Sequence, residues 1–192
     1  IIALIQHNVK RMIAYSIIAH AGFLAMAFAS ATVLGYMGLF FHSLIHMLMA
    51  SGAFLLIAFL EQHGLKELDD YNGLGQRASL ISILMTIFLL SLTGIPPLAG
   101  FLSKFLLWSS AMEAGYIWLA VAAIVNSAIS TYVYILILRR IWGFAPQTDA
   151  PLPSLSWNHK IAVVVPAALI IIFGLYPNPV LLYIRNIITL GS

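Results

Sequence analysis

Two apolar runs, 78–92 and 98–114, meet at a short stretch that cannot continue a helix. Gly94, Pro96 and Pro97 stand there, within SLTGIPPLAGFLSKF (91–105). Each proline lacks an N–H, and its ring pushes the preceding residue away from the α conformation. Ten residues beyond Gly94 comes Lys104, the only Lys or Arg inside a long apolar segment of this chain. A discontinuous apolar helix carrying an intramembrane lysine marks an ion pathway rather than a plain anchor.

The rest of the chain agrees with a bilayer as its solvent. It is 62% hydrophobic and 8% charged, with a mean hydropathy of +1.01. A soluble domain of 192 residues cannot hide that much apolar surface, so the expected fold is all-α, a polytopic transmembrane helix bundle. With no cysteine, the chain holds no disulfide, iron–sulfur cluster or thiolate metal site. The formal charge of +3 does not signal nucleic acid, because the basic residues are few and sit at segment ends. No secretory signal opens the sequence. Ile1 stands in place of a Met, and IIALIQHN reads like the last turns of an earlier helix. The expectation is a carboxy-terminal portion of a longer membrane protein.

Hydropathy and punctuation divide the chain into an initial polar break (1–11), then helices at 12–32 and 36–60. A polar loop (61–77) leads to the broken segment 78–114, interrupted at 94–97, and Gly115 turns the chain into a helix at 116–138. A proline-bearing loop (143–159) precedes a final span from Lys160 to Leu175, and the apolar tail (180–190) is too short to cross. Charge placement decides how often the broken segment crosses. With one crossing, Lys10, Arg11, Lys66, Arg77, Arg139, Arg140 and Lys160 share one side and Arg185 lies opposite. A hairpin would split the cations evenly. The positive-inside rule favours the first arrangement: five crossings in a prokaryotic cell membrane, basic side cytoplasmic, C-terminus outside.

Lys104 has two readings. It snorkels to headgroups, or it carries a proton. About ten residues separate it from the segment end, roughly 15 Å of helix, beyond easy reach of its stem. A lysine held away from water exchanges its proton more readily, which is what a relay requires. His42 and His46, four apart, share one helix face. Two histidines without a third ligand nearby are too few for a metal, and inside a membrane helix they read as relay groups beside the lysine. His20 either extends that line or bonds a neighbouring helix. Hydroxyls and amides such as Ser16, Asn126, Ser127 and Tyr134 are bridging groups or helix–helix glue. The acidic run Glu67, Asp69, Asp70 is a wetted loop or a docking point for a neighbouring subunit, and Glu113 is explained by interfacial solvation. No nucleophile–base set, phosphate loop or carboxylate pair is present, so no covalent chemistry is expected within the chain.

NVKRMIAYSIIAHAGF (8–23) resembles the NxKRxxAYSSIxHxGY signature of the antiporter-like membrane subunits of respiratory complex I, the NADH-quinone oxidoreductase. LSLTGIPPLAGFLSKF (90–105) is similar to that family's discontinuous-helix motif, with Gly94, Pro96, Pro97 and Gly100 at the break and Lys104 at its channel lysine. YNGLGQR, EAGYIWLAVAAIVNSAISTYVY and GLYPNP extend the likeness, in the N-type branch, over essentially the whole chain.

The resemblance implies two inverted five-helix repeats, each with a broken helix, and protons passing along lysine, histidine and water. This chain would hold most of the second repeat and the closing helix. NAD, FMN, iron–sulfur clusters and quinone would belong to other subunits, leaving this one no cofactor of its own. Its partners would be the remaining membrane-arm subunits, lipid, protons and water, with no nucleic acid. His42 and His46 resemble the HxxxH of the L-type and M-type relatives, and Ala50 stands where the L-type pattern has a lysine. Either the histidines replace that middle lysine or the path runs differently. Mrp-type cation/proton antiporters and membrane-bound hydrogenases share the pattern, and a subunit of either is the alternative function.

Overall fold

The computed structural model describes residues 2–146, 148, 150 and 152–190. Among these, eight α-helices form a bundle, with short 3-10 turns at Ile2–Ile5 and Leu68–Tyr71. Helix α1 (Val9–Ser30) starts three residues before the expected position, because the Asn8 side chain caps it by accepting the Arg11 N–H at 3.1 Å. It ends where Ala31 takes the left-handed conformation (φ 48°). Helix α2 (Val33–Gln62) is likewise longer than expected, because Thr32 caps it by accepting the Gly35 N–H at 2.9 Å.

After a single turn, α3 (Leu74–Arg77), the broken segment folds as α4 (Ser79–Thr93) and α5 (Ala99–Glu113). Each has 15 residues. At 1.5 Å per residue each is about 22 Å long, shorter than a ~30 Å hydrocarbon core. Helix α6 (Ile117–Gly143) continues through Arg139 and Arg140 past the expected end at 138. Helix α7 (Trp157–Leu175) begins before Lys160, where the Ser156 hydroxyl accepts the His159 N–H. The expected tail is itself a helix, α8 (Asn178–Leu190), with Val180, Leu181 and Ile184 packed on the core and no residue fully buried. Four helices, α1, α2, α6 and α7, are long and apolar enough to cross a membrane.

Helix α2 is the centre of the bundle, with Phe41, Ile45, Met49, Ala53, Leu56 and Leu60 fully buried along it. Around it α1, α4, α5, α7 and α8 pack. The buried apolar side chains fall into two clusters. The larger joins α1, α2, α4, α5, α6 and α7. The smaller contains Phe23, Met26, Ala27, Leu107, Ala111 and Ala120.

The end of the bundle that carries the polar loop is tied by charge and backbone. Val9 N–H donates to Lys66 O at 3.1 Å, and Leu68 N–H to His7 O at 2.8 Å. Lys10 pairs with Glu61 and Arg140 with Asp69, each at 2.8 Å. Asp70 accepts the N–H groups of Lys66 and Glu67, and Glu67 accepts from the Asn8 amide. The acidic run read from sequence as wetted or docking is therefore engaged within the chain. Tyr71 is buried beneath this collar, and desolvation, followed by the Glu61 and Asp70 charges, pushes its phenol up from the usual tyrosine range.

Candidate functional site

At the break, every carbonyl of the last turn of α4 has a partner. Gly94 closes the helix in the left-handed conformation (φ 86°), which glycine adopts without a Cβ penalty. Its N–H donates to Leu90 O and Ser91 O, and Ile95 N–H also donates to Leu90 O. The two remaining carbonyls, Leu92 O and Thr93 O, accept from Lys104 Nζ at 2.8 and 3.0 Å. Four terminal carbonyls are the usual debt of a helix end. Here Lys104, reaching back from α5, satisfies two of them. The negative end of the α4 dipole also favours a cation at this point.

Close approach makes the geometry possible. A Cβ on Gly100 would collide with the Ser91 carbonyl, so only glycine lets α5 start against α4. The Ser91 hydroxyl then accepts the Gly100 N–H at 3.2 Å. Gly174 of α7 covers the break from another side, where a Cβ would strike Pro97 O.

Lys104 is 1% exposed, and its third acceptor is the buried Ser127 hydroxyl on α6, at 3.0 Å. Among the described residues no carboxylate lies within ion-pair distance of it. The reading of Lys104 as a snorkelling side chain is excluded by this burial.

The neighbouring residue on α5, Ser103, opens a chain of polar contacts across three further helices. Ser103 donates its hydroxyl proton to Gly100 O at 2.9 Å, so it must accept from His42 Nδ1, also 2.9 Å away. A neutral His42 then accepts at Nε2 from His20 Nδ1–H, at 3.2 Å. His20 Nε2 is left to accept from the Tyr134 hydroxyl at a long 3.5 Å. One tautomer assignment therefore satisfies the whole row, running Tyr134, His20, His42, Ser103. Reversing it would need each imidazole to pass a proton along. His20, His42, Ser103 and Tyr134 are all buried.

Sequence reasoning paired His42 with His46 and left His20 as an extension of that line or a helix–helix contact; in the structure the hydrogen bond of His42 Nε2 is to His20. The His46 ring lies 4.5 Å from that of His20 and 5.9 Å from that of His42, centroid to centroid. Its Nε2 is buried without a protein partner. Ser103 was missed by sequence reasoning, while Ser127 and Tyr134 were not separated from ordinary helix–helix contacts. The three histidines do not form a metal centre with any carboxylate, and no group of three or more metal-ligating side chains occurs among the described residues.

Fold and site together define a polytopic membrane bundle whose interior lysine is carried by α5, just past the break that follows α4. Residues 1–130 match the family described as NADH:quinone oxidoreductase/Mrp antiporter, TM, and the chain belongs to that family. It is 39% identical over 190 residues to NADH-quinone oxidoreductase subunit N of Trichlorobacter lovleyi, covering 98% of this chain and 39% of that protein. It is 39% identical over 189 residues to F(420)H(2) dehydrogenase subunit N of Methanosarcina mazei, covering 93% of this chain and 38% of the relative. A chain of respiratory complex I from Thermus thermophilus with bound Aureothin superimposes with a TM-score of 0.78 at 35% identity, over 93% of this chain and 40% of that one. The chain thus spans about two fifths of the length of the curated relatives it matches.

Proposed function

We propose that this chain is part of a proton-translocating membrane-arm subunit of a complex I-like NADH-quinone oxidoreductase, coupling quinone reduction elsewhere to proton movement through its interior. The observation that carries this reading is Lys104 itself. It is buried at a helix break, bonded to three uncharged oxygens. A lysine paired with a carboxylate is locked in its charged form. A lysine on neutral acceptors keeps hydrogen bonds in both forms, because its amine still has N–H groups to donate. Lys104 therefore takes up and releases a proton at Nζ without stranding a buried counter-charge.

In this reading His42 and His20 conduct protons between Tyr134 and Ser103, and His46, with its free Nε2, joins through water. The Gly94, Pro96, Pro97 and Gly100 break exists to bring Lys104 to the end of α4. Charge arriving at a neighbouring site repels the lysine's proton and expels it. Redox groups (NAD, FMN, iron–sulfur clusters and quinone) would sit on other subunits, and the subunit itself would carry no redox chemistry. The protein would lie in a prokaryotic cell membrane with its basic loops inside, the C-terminus outside, and other membrane-arm subunits as partners. The broken segment would cross once, as two half-helices.

The matched family also spans Mrp antiporters, so a cation/proton antiporter subunit is the second reading. The 39% identity to a quinone oxidoreductase subunit supports the first. The test is proton pumping and electron transfer by the full-length protein in its assembled complex carrying Lys104→Ala. Pumping lost or sharply reduced with assembly intact is expected; unchanged pumping would overturn the relay role. Pumping driven by a sodium gradient without quinone reduction would favour the antiporter.

A further inference from the structure

Phe23, on α1, stands where the lysine and the histidines meet. Lys104 Nζ lies 5.4 Å from its ring centroid. The ring is also edge-to-face with His20 (5.7 Å, 87°) and His42 (6.1 Å, 86°). It is 2% exposed and belongs to the smaller apolar cluster, with Met26, Ala27, Leu107, Ala111 and Ala120. Helical steps place this cluster beyond the polar row. On α1 the order is His20, Phe23, Ala27, Ser30; on α5 it is Ser103, Leu107, Ser110. The next polar groups after the cluster are the Ser30 and Ser110 hydroxyls, buried and 3.1 Å apart. Phe23 also lines a cleft of about 620 Å³ between α1 and α6.

We propose that Phe23 is a positioning residue for Lys104: its ring face holds the charged ammonium at the end of α4 and, in that same position, closes the apolar layer between Lys104 and the Ser30–Ser110 pair. This rests on the relay reading above. An aromatic face attracts a cation through its quadrupole, most strongly where water is excluded, and has no such attraction for a neutral amine. The carbonyls of Leu92 and Thr93 serve both forms of the lysine, whereas the ring distinguishes them. Proton loss from Lys104 therefore removes the attraction between the ring face and the lysine. The layer is held shut while Lys104 carries its proton and is released when the proton leaves. No proton moves through Phe23 itself.

The experiment uses the full-length protein in its assembled complex and reads protons pumped per electron alongside the electron-transfer rate. Lys104→Ala, Phe23→Leu and Phe23→Tyr are compared with a series of mono-, di- and trifluorophenylalanine at position 23. Fluorination weakens the ring's negative face stepwise and leaves its shape nearly unchanged. Phe23→Leu is expected to reproduce at least about half of the loss caused by Lys104→Ala, Phe23→Tyr to restore pumping, and the fluorinated series to lose it in order of fluorine count. Loss in Lys104→Ala with wild-type pumping in Phe23→Leu would overturn the role of Phe23 and leave the relay standing. A flat fluorinated series with loss only in Phe23→Leu would make the ring mere packing and also overturn it. Normal pumping in Lys104→Ala would remove the relay reading on which it rests. Should Phe23→Leu fail to assemble, the fluorinated series decides alone.

Discussion

The start and the middle of α1 show polar groups used in opposite ways. Around its start, cations meet anions: Lys10 with Glu61, and Arg140 with Asp69, on side chains open to solvent. Such exposed pairs are screened and contribute little individually, and their value is in orienting loops. Halfway along the same helix, His20 opens a row in which no acid takes part among the described residues. Lys104 is held there by two carbonyls and a hydroxyl. The collar fixes its charges by pairing them. The interior leaves its charge unpaired by any acid among the described residues, the difference on which the proposed proton exchange depends.

The sharpest way to break the contrast is to give the interior a collar-like pair. Ser127→Asp places a carboxylate on the third acceptor of Lys104, locking the lysine in its charged form. Protons pumped per electron should fall as far as with loss of the lysine, while detergent-extracted complex still assembles. Next in size is Gly100→Val. Its Cβ must displace the Ser91 carbonyl, and overpacking of this kind costs about 1–3 kcal/mol or more. A lowered thermal midpoint of the complex, together with reduced pumping, is the expected result. His42→Leu comes third. It removes the contacts to both Ser103 and His20, and should lower pumping without lowering the midpoint as far as Gly100→Val does.

The smallest effects belong to the collar. Lys10→Met should leave pumping unchanged and the thermal midpoint within error, because Lys10 itself is exposed. Tyr71→Phe removes a buried hydroxyl that has no partner, and should leave stability unchanged or raise it by up to about 1 kcal/mol. A pumping defect in either variant would erase the distinction between the two regions.

What could be read from the sequence was what local chemistry specifies. Gly94, Pro96 and Pro97 announce a helix break by backbone sterics, and Lys104 announces itself by standing in an apolar run. Asn8 three residues before Arg11 was also a readable start signal for α1, and it moves that helix back from 12 to 9. The apolar spacing of Val180, Leu181 and Ile184 was a readable sign that the tail is a helix too short to span. The contacts of the site were not readable. His42 and Ser103 are 61 residues apart, and His20 and Tyr134 are 114 apart. Helix-face logic puts His46 beside His42 and carries no information about which neighbouring helix faces them. Hydroxyls such as Ser127 look the same in sequence whether they bond their own helix or a lysine. Only the packing of α5 against α2, and of α6 against α1 and α5, separates these cases.

The most direct measurement is pumping in the full-length complex with Lys104→Arg. Arginine keeps the positive charge and can reach the same carbonyls, but it does not give up its proton in a protein. Loss of pumping equal to that of Lys104→Ala, with electron transfer and assembly retained, is expected if Lys104 works by exchanging a proton. Wild-type pumping in the arginine variant would show that the helix break requires only a fixed cation, and would contradict that role.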